Sequence, residues 1–290
     1  MTAQNGFTDR EHPVRRLFDV SRRRLGGMGR RALCRSVITL LVTTCACALV
    51  PRTVAAQSAS RTILAIGAHA GDAELTMGPL LAAERARGTR TVILDLTLGE
   101  RGHPTLSAEQ YGVQKRREAG EVAAALGAEL EIGPYRDAEI PNDDAIRRWV
   151  ATVIRRVRPT LVLTHWKESM HRDHATTSAI VRDAVLLAAL PDVGGVDGRP
   201  VRGVSVWYAE NWEDATGFTP YTYVAVDSAS WSRWRTAVSG FEFARGATGF
   251  PYVEYYDALG RVRGIEARKG HAVAFDIEPY GKRRVLDALP

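Results

Sequence analysis

Six of the seven histidines lie beyond residue 60 (His69, His103, His165, His171, His174 and His271), and three of these fall within a stretch of ten residues. Two polar clusters each follow directly on a short apolar run. Thr62-Ile-Leu-Ala-Ile-Gly67 leads into Ala68-His-Ala-Gly-Asp-Ala-Glu74, and Thr160-Leu-Val-Leu-Thr164 leads into His165-Trp-Lys-Glu-Ser-Met-His-Arg-Asp-His174. His69 and Asp72 are close enough along the chain to reach one cation from a tight turn, and His174 would supply a third ligand from the second cluster. Two imidazoles and one carboxylate with a fourth position open form the donor set of a catalytic zinc site. Ferrous iron accepts the same facial set. Such an ion acidifies a water and polarises a carbonyl oxygen. A single histidine at a strand end is more often a hydrogen-bonded loop residue; the concentration of them argues for a metal.

The elements that must position these clusters read as alternating strands and helices. Thr62–Gly67 and Thr91-Val-Ile-Leu-Asp-Leu-Thr97 are buried strands by their apolar, β-branched composition. A short strand near Leu130–Ile132 and another over 160–164 follow. Helical spacing runs over Leu75–Arg87, 107–126, Asp143–Val157 and Ala175–Leu190, with Gly88 and Gly127 as stops and Asn142 or Asp143 as a cap. The βαβ rhythm predicts a three-layer α/β sandwich with a mostly parallel sheet. Ligands in such sheets sit beyond the carboxyl ends of the strands, and both histidine clusters begin where a strand stops. The aromatic-rich portion after residue 200 (Trp207, Tyr208, Trp212, Phe218, Tyr221, Tyr223, Trp231, Trp234) reads as added strands and loops on the same domain.

Charge and cysteine placement divide the chain. Residues 1–57 hold ten Arg against three acids, so of the total charge of +6 the remaining chain carries −1. The basic excess belongs to the leader, and no phosphate-tracking groove or nucleic-acid partner is implied. Cys34, Cys45 and Cys47 also lie there, which excludes disulfides, thiolate metal sites and cysteine nucleophiles from the body. Arg30-Arg31, an apolar core over Val37–Val50 and Val54-Ala55-Ala56-Gln57 read as an export signal cleaved near Ala56. At about fourteen residues the core is shorter than the ~20 of a spanning helix, so the mature chain is expected to have no membrane span. A retained signal anchor is the alternative, and Met28 offers a second start. The expectation is a leader over 1–56 and one domain over 58–290, periplasmic or extracellular, with no oligomeric state specified.

The motifs Ala68-His-Ala-Gly-Asp-Ala-Glu-Leu75 and His171-Arg-Asp-His174 resemble those of the PIG-L/LmbE family of metal-dependent N-deacetylases, which usually read A-H-P-D-D-(A)-E and H-P-D-H. The similarity continues through Thr97-Leu-Gly-Glu-Arg-Gly102, Arg116-Arg117-Glu118, Ala125-Leu-Gly127 and Tyr135-Arg-Asp137. It is looser over Arg261-Val-Arg-Gly264 and His271–Phe275. The resemblance implies a Rossmann-like fold with His69, Asp72 and His174 on a zinc or ferrous ion. It places His171 across the activated water, polarising or protonating the tetrahedral intermediate, with Asp173 orienting His171. Arg101, Arg117, Asp137 and Trp166 are the substrate-binding candidates. The family's general base, the first Asp of H-P-D-D, is Gly71 here, preceded by Ala70 where Pro is usual. Loss of such a base typically costs about 10²–10⁴-fold in rate. Glu74, Glu100, Asp137, His103 and His171 are the candidate replacements.

Two further positions depart from the family: Lys115 where Arg is common, and Val273 where the tail often has Glu. No G-x-G-x-x-G follows the first strand, and neither G-x-x-x-x-G-K-[ST] nor G-x-S-x-G occurs, so phosphate cradles and a serine nucleophile elbow are excluded. The resemblance implies a hydrolase that removes an N-acyl, chiefly N-acetyl, group from an amino sugar or related glycoconjugate. A slow or non-catalytic, metal-containing carbohydrate-binding protein is the alternative.

Overall fold

The computed structural model describes residues 61–283 apart from residue 215. The expected leader, its cleavage site and its cysteines lie outside the described residues. Seven strands form one sheet in the order β3-β2-β1-β4-β5-β7-β6. β1 (Thr62–His69), β2 (Arg90–Thr97), β3 (Glu129–Ile132), β4 (Leu161–His165) and β5 (Ser205–Ala209) run parallel. β7 (His271–Ile277) is antiparallel to both β5 and β6 (Thr222–Val226). Every residue of β1 but the last is buried, as a central parallel strand covered on both faces demands.

The chain steps outward from β1 to β2 and β3, then returns to place β4 on the other side of β1. That reversal opens a crevice between the carboxyl ends of β1 and β4, where His69 and His165 end their strands.

Helices cover both faces. α4 (Asp144–Val157) and α5 (Arg172–Ala189) bury Ile146, Val150, Ile154, Ile180 and Val181 against one face. On the other, α2 (Gly78–Ala86), α3 (Ala108–Leu126), α6 (Ser228–Val238) and α7 (Tyr252–Glu266) enclose Leu81, Val122, Trp234, Phe241 and Phe275. The predicted three-layer sandwich is therefore present. Local chemistry sets the helix ends: Ser107 and Gln110 form a capping box on α3, Gly127 ends it at φ 78°, and Asp143 accepts from two amides at the start of α4.

Two expectations change. The helix expected from Leu75 begins earlier, as α1 (Asp72–Thr76), and breaks at Met77, because Pro79 can start a helix but not sit inside one. The portion after residue 200 contains two helices as well as strands: the tryptophans at 231 and 234, three apart, pack one face of α6 into the core. Among the described residues, no helix is long and apolar enough to cross a membrane.

Candidate metal centre

The turn between β1 and α1 holds the first two expected ligands. Asp72 Oδ2 accepts from the His69 amide at 2.8 Å and lies 3.1 Å from His69 Nδ1. His174, in the first turn of α5, brings Nε2 to 3.2 Å from the same oxygen and 3.3 Å from His69 Nδ1. The three donor atoms thus form a nearly equilateral triangle. With metal–ligand bonds of about 2.0–2.1 Å, neighbouring vertices of a tetrahedron lie about 3.3 Å apart, so the triangle fits one face of a tetrahedral divalent site.

Electrostatics agree with that fit. Burial opposes charge on both imidazoles, but Asp72 overrides it and holds His69 well above the usual histidine range and His174 at about 9. Asp72 is half-buried, and although desolvation opposes its charge, His174 and His69 hold it well below the usual carboxylate range. The site favours positive charge at its centre.

Carboxylates stand behind each ligand ring. Glu213 Oε1 lies 2.8 Å from His174 Nδ1, with Asn211 Nδ2 also at 3.3 Å. Asp137 Oδ1 and Asp173 Oδ2 lie 3.2 and 3.4 Å from His69 Nε2; both are at ion-pair range, but neither has good hydrogen-bond geometry. His69, Asp137 and Asp173 also satisfy the spacing of a cation group. Two carboxylates on the outer nitrogen of an imidazole already in the first triangle are better explained as the partners that orient a ligand ring.

His165 serves a different end. Its Nε2 accepts from the Ala68 amide at 2.9 Å, and its ring stacks on His174 at 4.0 Å and 10°. Burial holds its pKa down at about 4, so it is a neutral buttress beneath the ligand.

His171 caps α5 and faces the ligands from the cleft, its ring 4.3 Å from that of His174 and 5.0 Å from that of His69. Its Nδ1 accepts from the Asp173 amide at 3.3 Å, so the neutral ring carries its proton on Nε2. Partial desolvation, then the charge of His174 and His69, lowers its pKa. The expected pairing of Asp173 with His171 is corrected: the Asp173 carboxylate bonds the Ala138 amide and faces His69, and only its backbone touches His171. As the second residue of α5, its side chain turns inward to the sheet rather than back over its own cap.

The other expected residues fall at different depths. Asp137 lines a cavity of about 170 Å³ together with His69, Asp72 and His171. Arg101 is exposed and holds that loop, its amide on Asp137 Oδ2 and its guanidinium on the Asp137 carbonyl and Glu139. Glu74 is wholly buried beneath the turn and accepts from the Gly71 amide at 2.9 Å, with burial raising its pKa to about 7. Glu100 accepts from the Asp137 amide and, with Arg117, lines a separate groove of about 630 Å³ along α3. Trp166 is interior: its indole bonds the Thr216 carbonyl and packs against Tyr208 and Phe218. His103 folds onto its own loop, accepting from the Leu106 amide.

Sequence reasoning missed Glu213, Asn211, Tyr256, Phe243 and Tyr252, which line the approach to the ligands. One signal was present: Glu210-Asn-Trp-Glu-Asp214 follows β5, at the same sheet edge as the two histidine clusters.

With this geometry in hand, the likeness to known proteins is informative. Residues 64–185 match the family described as PIG-L: GlcNAc-PI de-N-acetylase. A 1D-myo-inositol 2-acetamido-2-deoxy-alpha-D-glucopyranoside deacetylase of Nakamurella multipartita is 29% identical over 164 residues, 44% of this chain and 56% of the relative. The chain thus spans little more than half the length of that relative. A 4-oxalmesaconate hydratase of Pseudomonas putida is 24% identical over 219 residues, 72% of this chain and 82% of the relative. The conserved protein TT1542 of Thermus thermophilus superposes with a TM-score of 0.66 at 27% identity, covering 79% of this chain and 99% of its own. The match to that family over residues 64–185 takes in both histidine clusters and all three members of the candidate ligand triangle.

Proposed function

We propose that this protein is a metal-dependent hydrolase that removes an N-acyl group, chiefly acetyl, from an amino sugar or related glycoconjugate. The carrying observation is the triangle of His69 Nδ1, Asp72 Oδ2 and His174 Nε2, which fits a divalent ion with a face left toward the cleft. Zinc is the ion the donor set suits best, with ferrous iron acceptable. When bound, it would acidify a water and polarise the amide carbonyl. His171 presents an Nε2–H to the same cleft and serves as hydrogen-bond donor to the developing oxyanion, while the proton the departing amine takes up is the one the attacking water gives up. Glu213 and the Asp137–Asp173 pair hold the two ligand imidazoles in register. The substrate class is supported by the acetamido-sugar activity in the name of the Nakamurella relative. The leader reading adds export as one mature domain beginning near residue 57.

Gly71 favours a second reading, a metal-containing sugar-binding protein with little or no turnover, because no carboxylate stands at the position of the family's base. Acetate release from a panel of N-acetylated glucosaminides by the zinc-loaded protein decides between them, with His174→Ala as control. Release above the control supports the hydrolase; sugar binding without release supports the second reading. An unsaturated dicarboxylate belongs in the panel because of the hydratase relative, and addition of water to it would redirect the assignment.

A further inference from the structure

The space beside Gly71 is occupied. Gly71 has φ 109°, and a Cβ built on it would lie 2.5 Å from Phe243 Cζ, 2.9 Å from Phe243 Cε1 and 3.4 Å from Lys115 Nζ. Phe243 opens a single 3-10 turn (Phe243–Arg245) that follows α6. It is held from three sides. Lys115 Nζ sits 3.9 Å over its ring centre while bonding the Ala70 carbonyl beneath. Phe241 and Tyr252 pack on it at 5.2 and 5.5 Å. Glu242, next to it, ties the turn to α3 through Gln114 and Glu118.

The ring also borders both cavities that open on the ligands. One, of about 170 Å³, lies on the side of Tyr111 and Asp137; the other, of about 150 Å³, lies on the side of Asn211 and Glu213. Tyr252 is the other aromatic residue common to both. Phe243 therefore borders both small chambers, as do His69, Asp72, His171 and Tyr252, and it fills the volume that a side chain at position 71 would need.

We propose that Phe243 is a specificity-determining wall of the metal cleft, packed into the space that glycine at position 71 leaves, and that it sets the size of acyl group accepted beside the ligands. The proposal rests on the deacylation reading for its substrate and on contacts alone for its geometry. A small acyl group fits one chamber; a longer one needs the two joined, which the ring prevents. Gly71 and Phe243 are a matched pair, so a side chain returns to position 71 only if the ring shifts.

Two measurements on the full chain test this. In the first, N-acetyl, N-propionyl, N-butyryl and N-hexanoyl glucosaminides are compared for Phe243→Ala and Phe243→Leu. The butyryl-to-acetyl ratio of kcat/KM should rise about tenfold in the Ala variant, the order of discrimination a small hydrophobic pocket gives, and less in the Leu variant. An unchanged ratio in both overturns the wall. In the second, Gly71→Ala is melted in the wild-type and Phe243→Ala backgrounds. The backbone strain of a left-handed residue and the clash together should lower Tm by about 5 °C or more with Phe243 present. Without the ring, only the strain should remain, and the loss should shrink to about half. Equal losses refute the shared space. If none of the variants or the wild type cleaves any N-acyl sugar, the deacylation reading falls and the acyl assignment with it, while the melting result still decides whether the ring and position 71 compete.

Discussion

In the parallel half of the sheet, β1 and the segment after β4 each supply a histidine of the candidate ligand triangle; the described C-terminal part supplies none of its three members but builds the walls around them. β5 runs into Asn211 and Glu213, α7 carries Tyr252 and Tyr256, and the turn after α6 carries Phe243. The parts also differ in how they hold a ligand ring. On the outer nitrogen, away from Asp72, His69 has two carboxylates from the parallel half at 3.2 and 3.4 Å. His174 has one from the C-terminal part at 2.8 Å. Chemistry concentrated in short segments is thus steadied by residues far away in sequence, and the steadying is redundant for one ring and single for the other.

The most severe way to break that comparison is to remove a ligand. His174→Ala should take up less than one equivalent of zinc by titration calorimetry and lose acetate release by more than the 10–100-fold that loss of an outer partner costs. Because His165 and His171 stack on either side of His174, the variant should still fold, which its circular dichroism would show. Full metal uptake by this variant would move the site to His69, Asp137 and Asp173.

His171→Ala comes next. Its Nε2–H faces the cleft without belonging to the triangle, so metal content should hold while kcat falls about 10²–10³-fold, in the range for loss of an oxyanion hydrogen-bond donor. A fall in metal content instead would make His171 a ligand.

The parallel half was largely legible in the sequence. Its strands are continuous apolar runs, and His69 and Asp72 are a local pair whose spacing suggests a shared ion, with His174 offered by the second cluster. For Asp173 the sequence suggests His171 as partner, whereas the carboxylate faces His69 and the Ala138 amide, because spacing along a helix start does not tell which way an inward-facing carboxylate turns. Glu213 and Phe243 were illegible for another reason. Each reaches the cleft through contacts between segments 40 to 170 residues apart, and an acidic or aromatic residue in a loop has no periodic signature. Trp166 shows the converse: proximity in sequence to His165 made it a candidate for the cleft, and packing against Tyr208 and Phe218 took it inside.

The difference between the ligand rings predicts unequal losses. Glu213→Gln removes the one carboxylate that, among the described residues, lies close to the outer nitrogen of His174, and should weaken zinc binding about 10–100-fold in a competition assay with a chelator. Asp137→Asn leaves Asp173 beside His69 and should cost several-fold less. If the two losses are equal, redundancy at His69 is not what separates them.

The smallest effect sharpens the comparison inside the C-terminal part itself, between adjacent acids. Burial pushes both Glu213 and Asp214 up, but His174 more than offsets it for Glu213, which is lowered, while Asp214 is left at about 6 with Ser169 only partly opposing the shift. An unfolded aspartate titrates near 3.9. Between those values the folded chain binds the extra proton, so stability falls as pH rises through that window, and above it the buried charge is a net cost. Asp214→Asn removes the titration. In metal-free protein its Tm should match the wild type near pH 4 and exceed it at pH 7 by several degrees, the equivalent of at most about 3 kcal/mol and less as solvent screens the partly buried carboxylate. A constant difference across the range would mean that Asp214 is charged and partnered throughout, and that both acids after β5 are held by the cleft rather than one of them.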